Sequence, residues 1–331
     1  MKYLIDQQKI QYKANLHCHT TFSDGHWTPQ QVKAEYKKRG YSVVAITDHE
    51  YLVDHSNLND SEILFITAYE MYVRKVPYDK IHDTQAHINL YSKTPTNKMV
   101  YYTPELTKNI PQEELMKLDY YKFVEKREHT VDFIRQTIED ARECGYLVCH
   151  NHPTWSFEDE SCAAAYDNCF AMEIYNHTCY QMGYCEYNQH YYDYQTNRGL
   201  TMGVIAADDN HNRVGESDAF GGVTYILAEA LTYESILQAL ENREFYASTG
   251  PKIYSLSSEN GELSIQSSAV ERIIFVTDTR HRKAYIAPEG ELITQARFTI
   301  SSADKWVRVE VVDGKGCRAF TRAFQREELF E

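Results

Sequence analysis

The stretch ANLHCHTTFSDGHWTP puts His17, His19, Asp24 and His26 within a few residues of one another. Imidazole nitrogen and carboxylate oxygen are donors that suit Zn, Mn or Fe. The same side-chain types recur further along as Asp48-His49, Glu70, His87, His150-x-His152-Pro153 and Asp209-x-His211. In an extended strand residues i and i+2 point to one face, so each HxH or DxH pair can present two donors to one site. A carboxylate such as Glu70 can bridge two ions. Two ions about 3.5–4 Å apart can hold a hydroxide between them and polarise a phosphoryl oxygen. Taken singly, each element also has an ordinary structural reading. An HxH pair occurs in strands without metal, Asp48 could cap a helix, Glu70 could be an exposed strand end, and His87 alone could be structural. His152 could shape a turn before Pro153, and AADDNHN could be a loop of the kind Asp and Asn favour. Their joint occurrence favours chemistry, because all are expected at C-terminal ends of strands.

The elements that must position them read as alternating strands and helices. Tyr12 to Leu16 is strand-like and ends at His17. TPQQVKAEYKKRGY is a helix, with Thr28 as N-cap, Pro29 at its first position, Gln31 completing a capping box and Gly40 as its stop. SVVAITDHE, EILFITAYE, AHINLYS, YLVCHNHP, FAMEIYN and TMGVIAADDNH are apolar runs that reach polar residues at their ends. A long amphipathic helix is expected over Tyr121 to Cys144, stopped by Gly145, and Asn97 to Tyr120 reads as an irregular insertion. Strand–helix alternation implies a parallel α/β fold, and in a β/α barrel the strand C-termini converge on one face. After NREFYASTGP the pattern becomes alternating strands with Gly, Asn and Asp turns. The expectation is therefore a barrel over 1–250 and a small antiparallel β-sandwich over 251–331.

Composition narrows the partners. The formal net charge is −14, which opposes binding to a nucleic-acid backbone or an anionic membrane and favours a small substrate. The first residues, MKYLIDQQKIQYKANLH, are too polar for a signal peptide or anchor, and no run approaches membrane-spanning length. A cytoplasmic protein is expected, with its 8 cysteines as reduced thiols, since they form no C-x-x-C pair.

The pieces NLHCHTTFSDG, AITDHE, TAYE, AHINLY, HNHPTW, MEIYN and AADDNH, with the junction EFYASTGPKI, resemble the PHP (polymerase and histidinol phosphatase) superfamily of metal-dependent phosphoesterases. The resemblance covers about Lys13 to Pro251. It implies a distorted seven-stranded, TIM-like β/α barrel holding two to three divalent metal ions (Zn, Mn or Fe). Carried onto this chain, one metal is held by His17, His19, Glu70 and Asp209. A second shares Glu70 and takes His87 and His152, with His150 as the competing ligand. A third uses Asp24, His49 and His211, with Asp48 orienting His49. Arg213 is the expected phosphate contact, and His26 and His177 are candidate substrate contacts. Trp155 and Tyr175 could wall the pocket, but core packing is the favoured role for each.

The activity so implied is hydrolysis of a small phosphorylated substrate. A metal-bridging hydroxide attacks phosphorus in line, with Glu70, Asp209 and Arg213 as the catalytic set. Two alternatives remain at this point. One is an amidohydrolase-like hydrolase of C–N or C–O bonds, although no lysine stands at a strand end where a bridging carbamate would form. The other is a glycan- or partner-binding protein with a vestigial site.

Overall fold

The computed structural model describes residues 1–74, 83–215 and 218–330. Strands β1 (Lys2–Ile5) and β2 (Ile10–Asn15) lead to helix α1 (Pro29–Lys38) and strands β3 (Val43–Ile46), β4 (Leu64–Arg74) and β5 (Gln85–Ser92). The short strands β6 (Met99–Tyr102) and β7 (Asp119–Phe123) flank helix α2 (Gln112–Leu115), and helix α3 (Val131–Glu143) enters β8 (Tyr146–His150). Strand β9 (Ala171–Asn176), helices α4 (His177–Met182) and α5 (Gln189–Asn197), and strand β10 (Gly203–Ala207) follow. Strand β11 (Val223–Ala228), helix α6 (Tyr233–Glu241) and strand β12 (Phe245–Ser248) complete this part. The strands lie in one mixed sheet in the order β10-β9-β8-β5-β4-β3-β2-β11-β12. Strands β3, β8, β9 and β10 are buried at every position, which is why they read as continuous apolar runs rather than alternating ones.

Helix α1 starts as its sequence dictates. Thr28 Oγ1 accepts from the Gln31 backbone N–H while Gln31 Oε1 accepts from that of Thr28. Gly40 follows with φ +75°, where a side chain would be strained. Two expectations are corrected. The helix over Tyr121–Cys144 is shorter: Asp119–Phe123 pairs in parallel with Met99–Tyr102, and α3 begins only where Thr130 accepts from Phe133 N. The insertion thus carries its own two-stranded sheet. Nor is the sheet all parallel, since β5 runs antiparallel to both β4 and β8. Residues 75–84, between β4 and β5, are fewer than the dozen or so a parallel crossover needs.

The C-terminal strands are β13 (Ile253–Glu259), β14 (Glu262–Val270), β15 (Arg272–Thr277), β16 (Lys283–Ile286), β17 (Ile293–Thr299), β18 (Trp306–Val312), β19 (Arg318–Phe320) and β20 (Phe324–Gln325). One antiparallel sheet has the order β1-β13-β14-β17, so the first strand of the chain completes it. The others extend the mixed sheet through β12-β19-β18-β15-β16, with β20 against β18. Leu256, Ile265, Phe275, Phe298 and Val309 from both sheets share one core, and the rings of Phe275 and Phe298 stack at 5.0 Å. Arg308 donates through Nε and Nη2 to the two carboxylate oxygens of Asp193 of α5, at 2.6 and 2.9 Å. Among the described residues no helix is long and apolar enough to cross a membrane.

Candidate metal centre

Just past β2, His17 and His19 turn to the same side and are fully buried. The segment is held by a short parallel ladder to the end of β10: Asp209 N donates to His17 O at 2.9 Å and His19 N to Asn210 O at 3.0 Å. The loop then folds back at Gly25, where a Cβ would lie 2.5 Å from the His19 carbonyl, and this returns Asp24 toward His19. Asp48 fixes the same loop by accepting from Thr20 N, Thr20 Oγ1 and Ser23 Oγ at 2.6–2.7 Å. Asp48 therefore holds the Asp24 loop, rather than orienting His49 as the resemblance implied. Asp208 plays the corresponding part after β10. It accepts from Tyr36 Oη at 2.6 Å and from the N–H groups of Phe220, Gly221 and Gly222. Asp209 then takes φ +54°, a left-handed backbone uncommon outside glycine, and His152 has φ +21°. Non-glycine residues held in such conformations concentrate at functional sites.

Glu70 lies at the middle. It sits within β4 rather than at the strand's end, and His49 bridges to it in parallel. His87 stands near the start of β5, and because that strand is reversed its beginning lies at the same end of the sheet as the other donors. Glu70 Oε1 is 3.0 Å from His87 Nδ1, 3.4 Å from His17 Nε2 and 3.5 Å from His152 Nε2. Its Oε2 is 2.9 Å from His49 Nδ1 and 3.5 Å from His19 Nε2. Asp209 Oδ1 lies 3.1 Å from His19 Nε2 and 3.2 Å from His17 Nε2. Asp24 Oδ2 lies 3.3 Å from His211 Nε2.

Donor atoms fall within 4.8 Å of one another in four overlapping groups: His17-His19-Glu70, His17-His152-Asp209, Glu70-His87-His152 and His19-Asp24-His49-His211. Every residue expected as a ligand is in at least one group. His19 is in two, standing beside Asp24, His49 and His211 as well as beside Glu70. His150 turns away. Its Nε2 is 2.7 Å from Glu158, its ring stacks on Tyr166 at 3.5 Å, and it joins no group.

The imidazoles are also oriented from behind. His17 Nδ1 is 2.6 Å from Glu173 Oε1, His211 Nδ1 is 3.0 Å from the Asp209 carbonyl, and His152 Nδ1 is 3.3 Å from Ser156 Oγ. With Nδ1 so engaged, each Nε2 lone pair is left to face the centre. Asn151 Nδ2 donates to Glu70 Oε1 at 2.8 Å and Asn176 Nδ2 to Asp209 Oδ2 at 3.2 Å. His49 Nδ1, though near Glu70, makes no aligned hydrogen bond and is buried without one. At 2.9 Å from Glu70 Oε2, that nitrogen holds a proton beside the carboxylate in the metal-free protein, a place a metal ion can take instead. Six imidazoles and three carboxylates on a few shared points are a donor set for borderline divalent metals.

Electrostatics agree with that. Burial raises the pKa values of Glu70 and Asp209, but surrounding histidines, His17 first, outweigh it and hold both carboxyls well below their ordinary range. His19 is pushed down to about 4 by burial and by its neighbours His211 and His49, so its lone pair stays free. His49 is pushed up to about 9, burial being outweighed by Glu70.

The remaining candidates are peripheral. Arg213 is half-exposed, with Nη2 4.0 Å from Asp24 Oδ2. His26 has an exposed side chain and contributes its backbone N–H to the His211 carbonyl. His177 Nδ1 is 2.7 Å from Tyr175 Oη, and its ring fills the space beside Gly221. Trp155 packs its ring 5.2 Å from that of His87 and 5.0 Å from that of His152, walling the centre. Two buried carboxylates escape a reading of the sequence. Glu173, within AMEIYN, binds His17 and also accepts from His152 N at 3.1 Å. Glu50 accepts from both terminal nitrogens of Arg127 at 2.6 and 2.7 Å and from Tyr72 N at 3.1 Å, and its own N–H reaches the Glu70 carbonyl. A carboxylate inside an otherwise apolar strand was the one available signal, and it applied to Glu173 only.

No family model matches the sequence, and no curated protein does. Among solved structures, the chain is similar to a two-domain protein of Bacteroides vulgatus ATCC 8482 that contains a predicted PHP-like metal-dependent phosphoesterase. The identity is 16%, 98% of each chain is covered and the TM-score is 0.46. It is similar to a predicted metal-dependent phosphoesterase of Bifidobacterium adolescentis ATCC 15703, at 16% identity, over 70% of this chain and 96% of that one, with TM-score 0.42. It is similar also to an amidohydrolase of Chromobacterium violaceum with bound sulfate and no metal, at 14% identity, over 60% of this chain and 87% of that one, with TM-score 0.38. The likeness to PHP-like two-domain proteins thus runs over nearly the whole chain at low identity.

Proposed function

We propose that the chain is a metal-dependent phosphoesterase of the PHP class, acting on a small phosphorylated substrate. The observation that carries this reading is Glu70, a buried carboxylate shared between two of the donor groups, with each oxygen facing a different set of imidazoles. On this reading β2, β3, β4, β5, β8, β9 and β10 form a distorted seven-stranded barrel around the donors. Residues 1–250 carry the centre, and 251–331 form a β domain completed by β1.

The donor groups suit two or three ions: one on His17, His19, Glu70 and Asp209, one on Glu70, His87 and His152, and one on Asp24, His49 and His211. Bound divalent ions supply Lewis acidity toward a phosphoryl oxygen and lower the pKa of water. The chain's own residues do the rest. Glu173, the Asp209 carbonyl and Ser156 fix which imidazole nitrogen faces the centre. Glu70 and Asp209 stay ionised and so remain donors. Arg213, half-exposed above Asp24, meets a phosphoryl oxygen and helps neutralise the charge that grows during transfer. Trp155 limits access of water from the His87–His152 side. His26 and His177 line the approach to the site.

A panel of phosphomonoesters, phosphodiesters and amides given to metal-reconstituted protein tests this. Turnover of a phosphate ester is expected. Turnover of an amide with no action on any phosphate ester would replace this reading with the amidohydrolase-like one.

A further inference from the structure

A well-defined cavity lies away from the metal centre. It has a volume of about 370 Å³ and opens at the beginnings of β8, β9 and β10, the end of the sheet opposite the donors. Leu147, Phe170, Leu200 and Met202 supply the apolar part of its lining. Tyr146 is the first residue of β8 and His150 the last. The length of such a strand separates the cavity from the centre by roughly 15 Å.

The rim carries charge that is incompletely neutralised. Lys93 is paired with Glu241 at 2.5 Å, and Asp167 with Arg198 at 3.1 Å, so both acids at the rim are taken. Arg142, in the last turn of α3, and Arg243, just past α6, also line the cavity, and neither guanidinium has an acid or acceptor among the described residues. The nearby Glu328 is occupied by Arg322 at 3.0 and 2.6 Å. Arg243 Nε is buried and unpartnered. A chain with net charge −14 could neutralise such groups readily, so two guanidinium groups left without an acid at one cavity are unexpected. Guanidinium forks match the oxygens of a phosphoryl group two at a time, and the apolar side chains in the lining accommodate a small organic body.

We propose that this cavity is a second ligand site, which binds a small organic phosphate or phosphonate through Arg142 and Arg243, independently of the metal centre. The test is calorimetric titration of the full-length chain with phenylphosphonate, with and without a metal chelator, in wild type, Arg142→Gln, and Arg142→Gln/Arg243→Gln. One binding event is expected to survive the chelator. It should weaken about tenfold in the single variant and further in the double one. Arg142 lies on an exposed helix face, so its variant keeps the fold, and its metal content should equal that of wild type. Absence of a chelator-resistant event in wild type would overturn the proposal, as would an event that both variants leave unchanged. Benzoate binding as tightly as phenylphosphonate would overturn the phosphoryl assignment.

Discussion

Glu173 Oε1 lies 2.6 Å from His17 Nδ1, with both side chains fully buried. The carboxylate fixes the imidazole so that Nε2 faces Glu70 and Asp209, and it makes that nitrogen a stronger donor. Glu173→Gln keeps the shape and removes the charge. Metal affinity, measured by competition with a chromophoric chelator, should fall about 10–100-fold. Unchanged affinity would mean that His17 is oriented by something else.

The Arg127–Glu50 pair ties the link between β7 and α3 to the centre. Both residues are buried, and Glu50 adjoins His49 while bonding to β4 at the Glu70 carbonyl and at Tyr72 N. Removing the cation in Arg127→Met leaves a buried carboxylate unpaired, and stability should fall by about 3–5 kcal/mol in denaturant titration. Arg127→Met/Glu50→Gln should recover part of the loss. A single-variant loss below about 1 kcal/mol is what a solvated pair would give.

Metal uptake should release protons at pH 7. In the metal-free protein His49 is raised to about 9, and His17 lies well above its ordinary value because Asp209, Glu173 and Glu70 outweigh burial. Both therefore carry a proton at pH 7 that coordination displaces. The release should shrink as pH rises through about 9, where His49 is already neutral. Calorimetry in buffers of different ionisation enthalpy reads the proton count directly. Heats that do not depend on the buffer at pH 7 would contradict this.

His150 and His152 separate by role. His152→Ala should lower metal content with little loss of stability, since its ring faces Glu70 and Asp209. His150→Ala should lower stability and leave metal content intact, since its ring serves Glu158 and Tyr166. Elemental analysis and thermal unfolding of the two variants check both halves.

Much of this arrangement is legible in the chain because strand ends advertise themselves. HxH and DxH after apolar runs can place pairs of donors together without knowledge of how the strands are ordered. The direction of β5 is another matter. AHINLY reads the same whichever way it runs, and only the short link from Arg74 distinguishes the two. Helical periodicity over residues 131–143 is genuine, but Tyr121 continues it by accident, because pairing with Met99–Tyr102 makes that stretch a strand. Arg127 falls in the stretch that reads as helix, where one basic residue is indistinguishable from a solvated one until Glu50 is seen paired with it. Glu173 was visible as a carboxylate among apolar residues, yet its partner is far away in sequence and meets it only when the segment after β2 comes to lie against the end of β10, the neighbour of β9.

Phosphate release during metal titration bears most directly on the centre as a whole. Metal-free protein is given Mn, Zn or Fe in steps, and release of inorganic phosphate from a reactive aryl phosphate is followed against bound metal, in wild type and in Asp209→Asn. Release should be absent without metal, rise with occupancy in wild type and stay near background in the variant. Full occupancy with no release, or equal release from metal-free protein, would contradict a Glu70-centred metal site that cleaves phosphate esters.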